Sequence, residues 1–143
     1  MRQNMSGWSQ AECDELKKAG IADEILYYHR ALGKEEKYTA HVFIAQYASP
    51  EQLKQNWERL NDNIALLYQS NVDSLLERSN FYLCFFLPKS MNTIEKEKIE
   101  NDAYCAKKYI FVSEKELSVE EKIQRVNEKI FELTYLESQD TSE

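Results

Sequence analysis

Apolar residues along this chain come in two kinds of run: compact blocks of β-branched and aromatic residues, and longer stretches where apolar positions return every three or four residues. The first block, Tyr38–Tyr47 (YTAHVFIAQY), has the composition of a buried strand. Ser49-Pro50-Glu51 follows. Ser49 is suited to cap a helix, and Pro50 takes the first helical position, where its missing N–H costs nothing. Leu53, Trp57, Leu60, Ile64 and Leu67 then recur at spacings of four, three, four and three. That spacing predicts a helix reaching about Ser70, with Gln55, Arg59 and Asp62 turned to water.

Phe81–Leu87 (FYLCFFL) is apolar at every position, which predicts a strand covered on both faces and stopped by Pro88. Thr93–Ala106 reads as the next helix, with Ile94, Ile99, Ala103 and Ala106 inward, and Lys107–Val112 (KKYIFV) as a further strand. Ser118-Val119-Glu120-Glu121 has the form of a capping box. It opens a last helix running to about Glu137, on which Val119, Ile123, Val126, Ile130 and Leu133 repeat every four and three residues.

The first 37 residues are less regular. Gln10–Ala19 reads as a short helix ended by Gly20, whereas Ile21–Leu32 fits a second helix or an irregular strand. Gly33 and Lys34-Glu35-Glu36-Lys37 read as a turn. The order β-α-β-α-β-α, with a helix in each crossover, predicts an α/β fold. Its sheet is small and mostly parallel, with three core strands, flanking helices and a candidate fourth edge strand from the Ile25 region. The expected organisation is a helical or irregular segment at 1–37 packed on an α/β domain at 38–137, followed by a frayed tail at 138–143.

Composition narrows the function. The chain has 143 residues, 43% of them hydrophobic, and three glycines with two prolines, which argues against turn-rich all-β folds and multi-glycine phosphate loops. Gly7, Gly20 and Gly33 are isolated. A net charge of −7 and a pI near 5.0 disfavour a broad DNA-binding face. Residues 113–143 hold four basic and nine acidic side chains, so five of the seven net negative charges lie there; a solvated helix face accounts for them, or an acidic surface that meets a basic partner. Cys13, Cys84 and Cys105 are widely spaced and odd in number, which disfavours disulfides and thiolate zinc. The N-terminal residues contain no apolar stretch of signal-peptide length, and the longest apolar run is seven residues. The expected compartment is the cytoplasm, without a membrane contact.

Chemistry is sparse. Cys84 lies in an apolar strand, where a thiol stays protonated, and Cys105 has only Lys107-Lys108 to activate it. His41 reads as a structural histidine within its strand. Glu95-Lys96-Glu97-Lys98 contains the Glu-x-Lys letters of Mg²⁺ nucleases, but on a helix, where such charges form ordinary i,i+4 pairs. Glu100 and Asp102 do not share a helix face, and Lys107-Lys108 suit a helix C-terminus.

The segments ERSNFYLCFFL and, after a helix, IENDAYCAKKYIFV resemble the small middle component of ABC-three-component systems, the Lamassu-type bacterial anti-phage operons. In that family a Trp-bearing helix precedes an Asn-aromatic strand, and a Glu-x-Asp segment leads into a basic pair opening the next strand. The matching positions are Trp57, Asn80, Tyr82, Glu100, Asp102 and Lys108. Lys107 stands where the pattern has Arg, a departure that weakens any bidentate contact. The resemblance spans residues 38–112 and implies a non-catalytic adaptor with no cofactor or metal. Its implied partners are an SMC-like ABC ATPase that senses foreign DNA and an effector, often a nuclease, of the same operon. It further implies a hetero-oligomer in which these seven residues meet partners. Residues 89–112 hold five basic and four acidic side chains, so the expected DNA contact is indirect or through a local basic edge there. The rival readings are a small Mg²⁺ nuclease or hydrolase using Glu95, Glu97, Glu100 or Asp102, and a homodimeric scaffold formed through the last helix.

Overall fold

The computed structural model describes residues 7–32 and 38–131. Within them five strands form one open sheet in sequential order: Ser9–Ala11 (β1), Glu24–Leu32 (β2), Tyr38–Gln46 (β3), Phe81–Leu87 (β4) and Lys107–Val112 (β5). The helices are Asp14–Lys18 (α1), Pro50–Leu67 (α2), Leu75–Arg78 (α3), Thr93–Glu100 (α4) and Val119–Val126 (α5), the last continued by a π-type turn over Asn127–Phe131. The turn expected at residues 33–37 and the segment expected as helix and tail beyond residue 131 lie outside the described residues.

The three strands expected from their apolar blocks are parallel neighbours, with His41 opposite Phe81 and Tyr82 opposite Lys107. The sheet around them differs from expectation. It has five strands, not three or four, and it is mixed, because β1–β2 and β2–β3 are antiparallel. The Ile25 region is an interior strand rather than an edge. Five residues separate β2 from β3, and a parallel return needs a dozen or more, so only antiparallel pairing is open to them.

Alternation along the strands sorts side chains onto two faces. Phe43, Ala45, Phe81, Leu83, Phe85 and Leu87 pack beneath α1, α2 and α4. Val42, Ile44, Tyr82, Cys84 and Phe86 pack against α5, whose Ile123 and Val126 face the sheet. β4 is therefore buried at all seven positions. The seam on the last helix that suggested a homodimer is covered by this chain's own sheet as far as Ile130.

Capping follows chemistry. The Gln52 N–H donates to Ser49 Oγ (3.1 Å), and Pro50 opens α2. Ser118 and Glu121 cap each other's backbone N–H groups at 3.1 and 2.8 Å. The helix expected over Thr93–Ala106 ends at Glu100 instead, which leaves Ala103 exposed, and Ile94 points outward at 76% exposure. The helix expected from Gln10 starts at Asp14, Gln10 being part of β1. α2 ends at Leu67, and a 3₁₀ turn spans Gln69–Asn71.

Tyr47, just past β3, is fully buried against Phe85, and its hydroxyl has no hydrogen-bond partner among the described residues. A buried orphan hydroxyl costs about 1–3 kcal/mol. Tyr47→Phe is expected to raise unfolding stability by about 1 kcal/mol in urea titrations; a loss of stability would show that the hydroxyl is satisfied.

Candidate partner interface

β4 and β5 begin at the end of the sheet where α2 and α4 finish, and most of the residues marked by sequence gather there. Asn80 immediately precedes β4; its amide donates to Leu76 O (2.7 Å), and its Oδ1 accepts the Tyr82 hydroxyl (2.9 Å). Tyr82 is buried on the α5 face, with Lys107 Nζ 5.4 Å from its ring centroid. The pleat sends Lys107 and Lys108 opposite ways, so Lys107 is exposed while the Lys108 side chain is wholly buried.

Lys108 Nζ donates to Asp102 Oδ1 (2.6 Å), Asp102 O (3.1 Å) and Tyr104 O (2.6 Å), which uses all three of its donors. For Asp102, burial works against the charged form, but hydrogen bonds from Lys108 and the Tyr104 N–H outweigh it and hold the carboxyl below its usual range. Glu100 takes one hydrogen bond from Lys96 (3.1 Å) and one from the Ile110 N–H (2.8 Å), capping a backbone group on the edge strand β5. Trp57 is not part of this cluster. It is 5% exposed and packs into the core beneath α2, where truncation to Ala typically costs about 3–5 kcal/mol.

The loop between α4 and β5 is strained and firmly held. Cys105 sits at φ +64°, a left-handed conformation that costs a non-glycine residue about 1–2 kcal/mol. Asn61 on α2 holds it from two sides, donating to Tyr104 O (2.9 Å) and accepting the Ala106 N–H (3.5 Å). Gln69 donates to both Cys105 O (3.4 Å) and Arg78 O (3.0 Å), joining this loop to α3. Burial pushes the Cys105 thiol up to about 11, against the opposing pull of Lys108, and burial alone pushes Cys84 higher still. Neither is a poised nucleophile.

The elements that meet at that junction carry four exposed apolar side chains: Leu66 on α2, Leu75 and Leu76 on α3, and Tyr104 on the loop, at 70%, 80%, 53% and 58% exposure. Periodicity did not mark them. Leu66 falls off the apolar face of α2, and Leu75 and Leu76 lie in a segment without a regular repeat. The one local signal was Ser74, whose Oγ caps α3 by accepting the Glu77 N–H (3.2 Å). The carboxylates of the nuclease reading are dispersed: Glu95 lies 3.5 Å from Lys54, and Asp102 is held by Lys108. Among the described residues no three His, Cys, Asp or Glu side chains converge to hold a metal ion.

A family model described as ABC-three component (ABC-3C) system Middle Component 1 matches residues 40–137. The chain belongs to that family. Among curated proteins and solved structures none matches it. The family range takes in β3 to β5 and α2 to α5, so the antiparallel β1 and β2 precede it. As a middle component of a three-component system, the chain has partner subunits. Among its described residues no helix is long and apolar enough to cross a membrane.

One polar chain ties this end of the middle component together. Tyr27 OH lies 2.7 Å from His41 Nδ1, and His41 Nε2 lies 2.7 Å from Glu77 Oε2. A carboxylate can only accept, so Nε2 carries the proton and Nδ1 accepts from Tyr27. Burial lowers the His41 pKa, although Glu77 opposes this, and His29 lowers it further. The unfolded chain therefore binds a proton first as pH falls. This contribution to stability is complete above the ordinary histidine value of about 6.5 and is lost below it. Stability is expected to fall as the pH drops below about 6.5, and to fall less in His41→Phe. Parallel pH profiles by urea denaturation would contradict this assignment.

Proposed function

We propose that this middle component is a non-catalytic cytoplasmic adaptor, joining an SMC-like ABC ATPase that senses foreign DNA to an effector, often a nuclease, of the same anti-phage operon. The match to the middle-component family over residues 40–137 carries the reading. The state of the polar residues supports it. Lys108, Asp102, Glu100 and Asn80 are engaged with one another or with backbone, an arrangement that shapes a surface rather than performs a reaction. What this end of the sheet offers outward is Leu66, Leu75, Leu76 and Tyr104, with Arg78 exposed on α3 and Lys107 exposed on the α5 face. Aromatic and apolar anchors ringed by polar groups are the usual substance of binding hot spots.

In this reading Lys107, Asn80 and the apolar side chains meet a partner. Tyr82, Glu100, Asp102 and Lys108 fix the backbone that presents them, and Trp57 supports α2 from below. DNA is reached through the ATPase, or through Lys107 at this edge, since a net charge of −7 disfavours a broad cationic face. Co-expression of the full chain with the two proteins encoded beside it is expected to give a hetero-oligomer on size-exclusion chromatography with mass detection. Leu75→Ser with Leu76→Ser, both on exposed positions, is expected to weaken capture of one partner by about tenfold or more while leaving the circular dichroism spectrum unchanged. A chain that elutes alone beside both neighbours would overturn the adaptor reading.

A further inference from the structure

The opposite end of the sheet holds a second surface. Beyond β4 and β5 the chain passes through Pro88 and residues 113–118, and a cleft of about 430 Å³ lies between these segments and the first turns of α5. Its apolar lining comes from Phe86, Leu87, Pro88, Leu117 and Val119, of which Pro88 and Val119 are half-buried and the others buried. Lys122 forms one wall, its side chain 5% exposed and its Nζ 5.6 Å from the Phe86 ring centroid. That ammonium donates to Glu24 Oε1 (3.2 Å), bridging the start of β2 to α5 across the lining of the cleft. The rim is held as well: the Ser113 N–H donates to Leu87 O (2.9 Å), and Ser113 Oγ to Lys115 O (2.8 Å).

The charges on this lining are unbalanced in a specific way. Both lysines are already engaged, Lys122 with Glu24 and Lys115 with Glu121 at 3.6 Å. Glu114 and Glu116 line the same cleft, are exposed, and have no cationic partner among the described residues. They belong to the stretch that carries five of the chain's seven net negative charges. A phosphate-bearing ligand is repelled by such a rim, and a cation is drawn to it.

We infer that this cleft is a docking groove for a basic, extended segment of a partner subunit, with an apolar side chain against Pro88 and Val119 and Lys or Arg side chains on Glu114 and Glu116. The inference rests on the adaptor reading and deepens it. The apolar surface around Tyr104 and the acidic groove lie at opposite ends of the parallel strands, so two partners of different chemistry bind without competing.

The test measures binding of the full chain to each of the two neighbour-encoded proteins by calorimetry, at low and at physiological salt. Glu114→Lys with Glu116→Lys is expected to weaken one partner by about tenfold or more, and that partner's binding to the unaltered chain should fall with added salt. A control reversal on the outer faces of α2 and α4, Glu58→Lys with Glu97→Lys, should leave both affinities unchanged. If the unaltered chain binds its neighbours and the groove variant binds them equally well, or the control weakens binding as much, the groove is not a docking site and the adaptor reading stands. If the unaltered chain binds neither neighbour, both fall together.

Discussion

Burial of both faces of β4 is the constraint on which the rest of the molecule depends. Phe81, Tyr82, Leu83, Cys84, Phe85, Phe86 and Leu87 leave no face for water, so helices must lie on both sides of the sheet. The two parallel crossovers place α2 and α4 on one side. The other side is left to α5 and to Trp8, whose indole N–H donates to Asn127 Oδ1 (3.0 Å). Parallel pairing then segregates the loops: the segments leading into β4 and β5 collect at one end of the sheet, and the segments leaving them at the other. The two candidate surfaces follow directly from that segregation.

At the end where the strands start, a buried lysine determines the local shape. An ammonium with no access to water needs acceptors for all its protons, and Lys108 obtains them by drawing in Asp102 O, Asp102 Oδ1 and Tyr104 O. α4 cannot continue through carbonyls turned toward a side chain, so the chain leaves the helix after Glu100 and reaches β5 through the left-handed Cys105. Contacts from Asn61 and Gln69 sustain that strain, and Tyr104 is held outward as a result. Strain maintained by several independent contacts is common where a surface is kept ready for a partner. The edge strand is managed too, since Glu100 and Arg125 occupy the Ile110 N–H and the Val112 carbonyl and so discourage indiscriminate strand pairing.

β3, β4 and β5 were legible as apolar blocks, and α2 and α5 as periodic faces with capping residues, because local composition and tertiary burial agree there. β2 was not, since Ile25, Leu26, Tyr27 and Tyr28 are buried on both faces and show no period of their own. β1 is three residues of mostly exposed backbone pairing and leaves no compositional trace. The end of α4 was hidden because a residue six positions after Asp102 sets it. The polar cluster at Asn80, Asp102, Lys107 and Lys108 was legible because Asn80 leads into β4 and the Asp102–Lys108 segment leads into β5, its neighbour. The apolar surface was not, because the exposure of Leu66, Leu75, Leu76 and Tyr104 is fixed only once α2, α3 and the α4–β5 loop meet.

An assembled middle component, in this account, contacts its partners through the two ends of one rigid sheet. Hydrogen–deuterium exchange of the full chain, alone and mixed with both neighbour-encoded proteins, tests that claim most directly. Slowed exchange at two separate sites, residues 66–78 with 101–107 and residues 113–118, is the predicted result. An exchange pattern unchanged at both ends, or protection confined to the outer faces of α2 and α4, would contradict it.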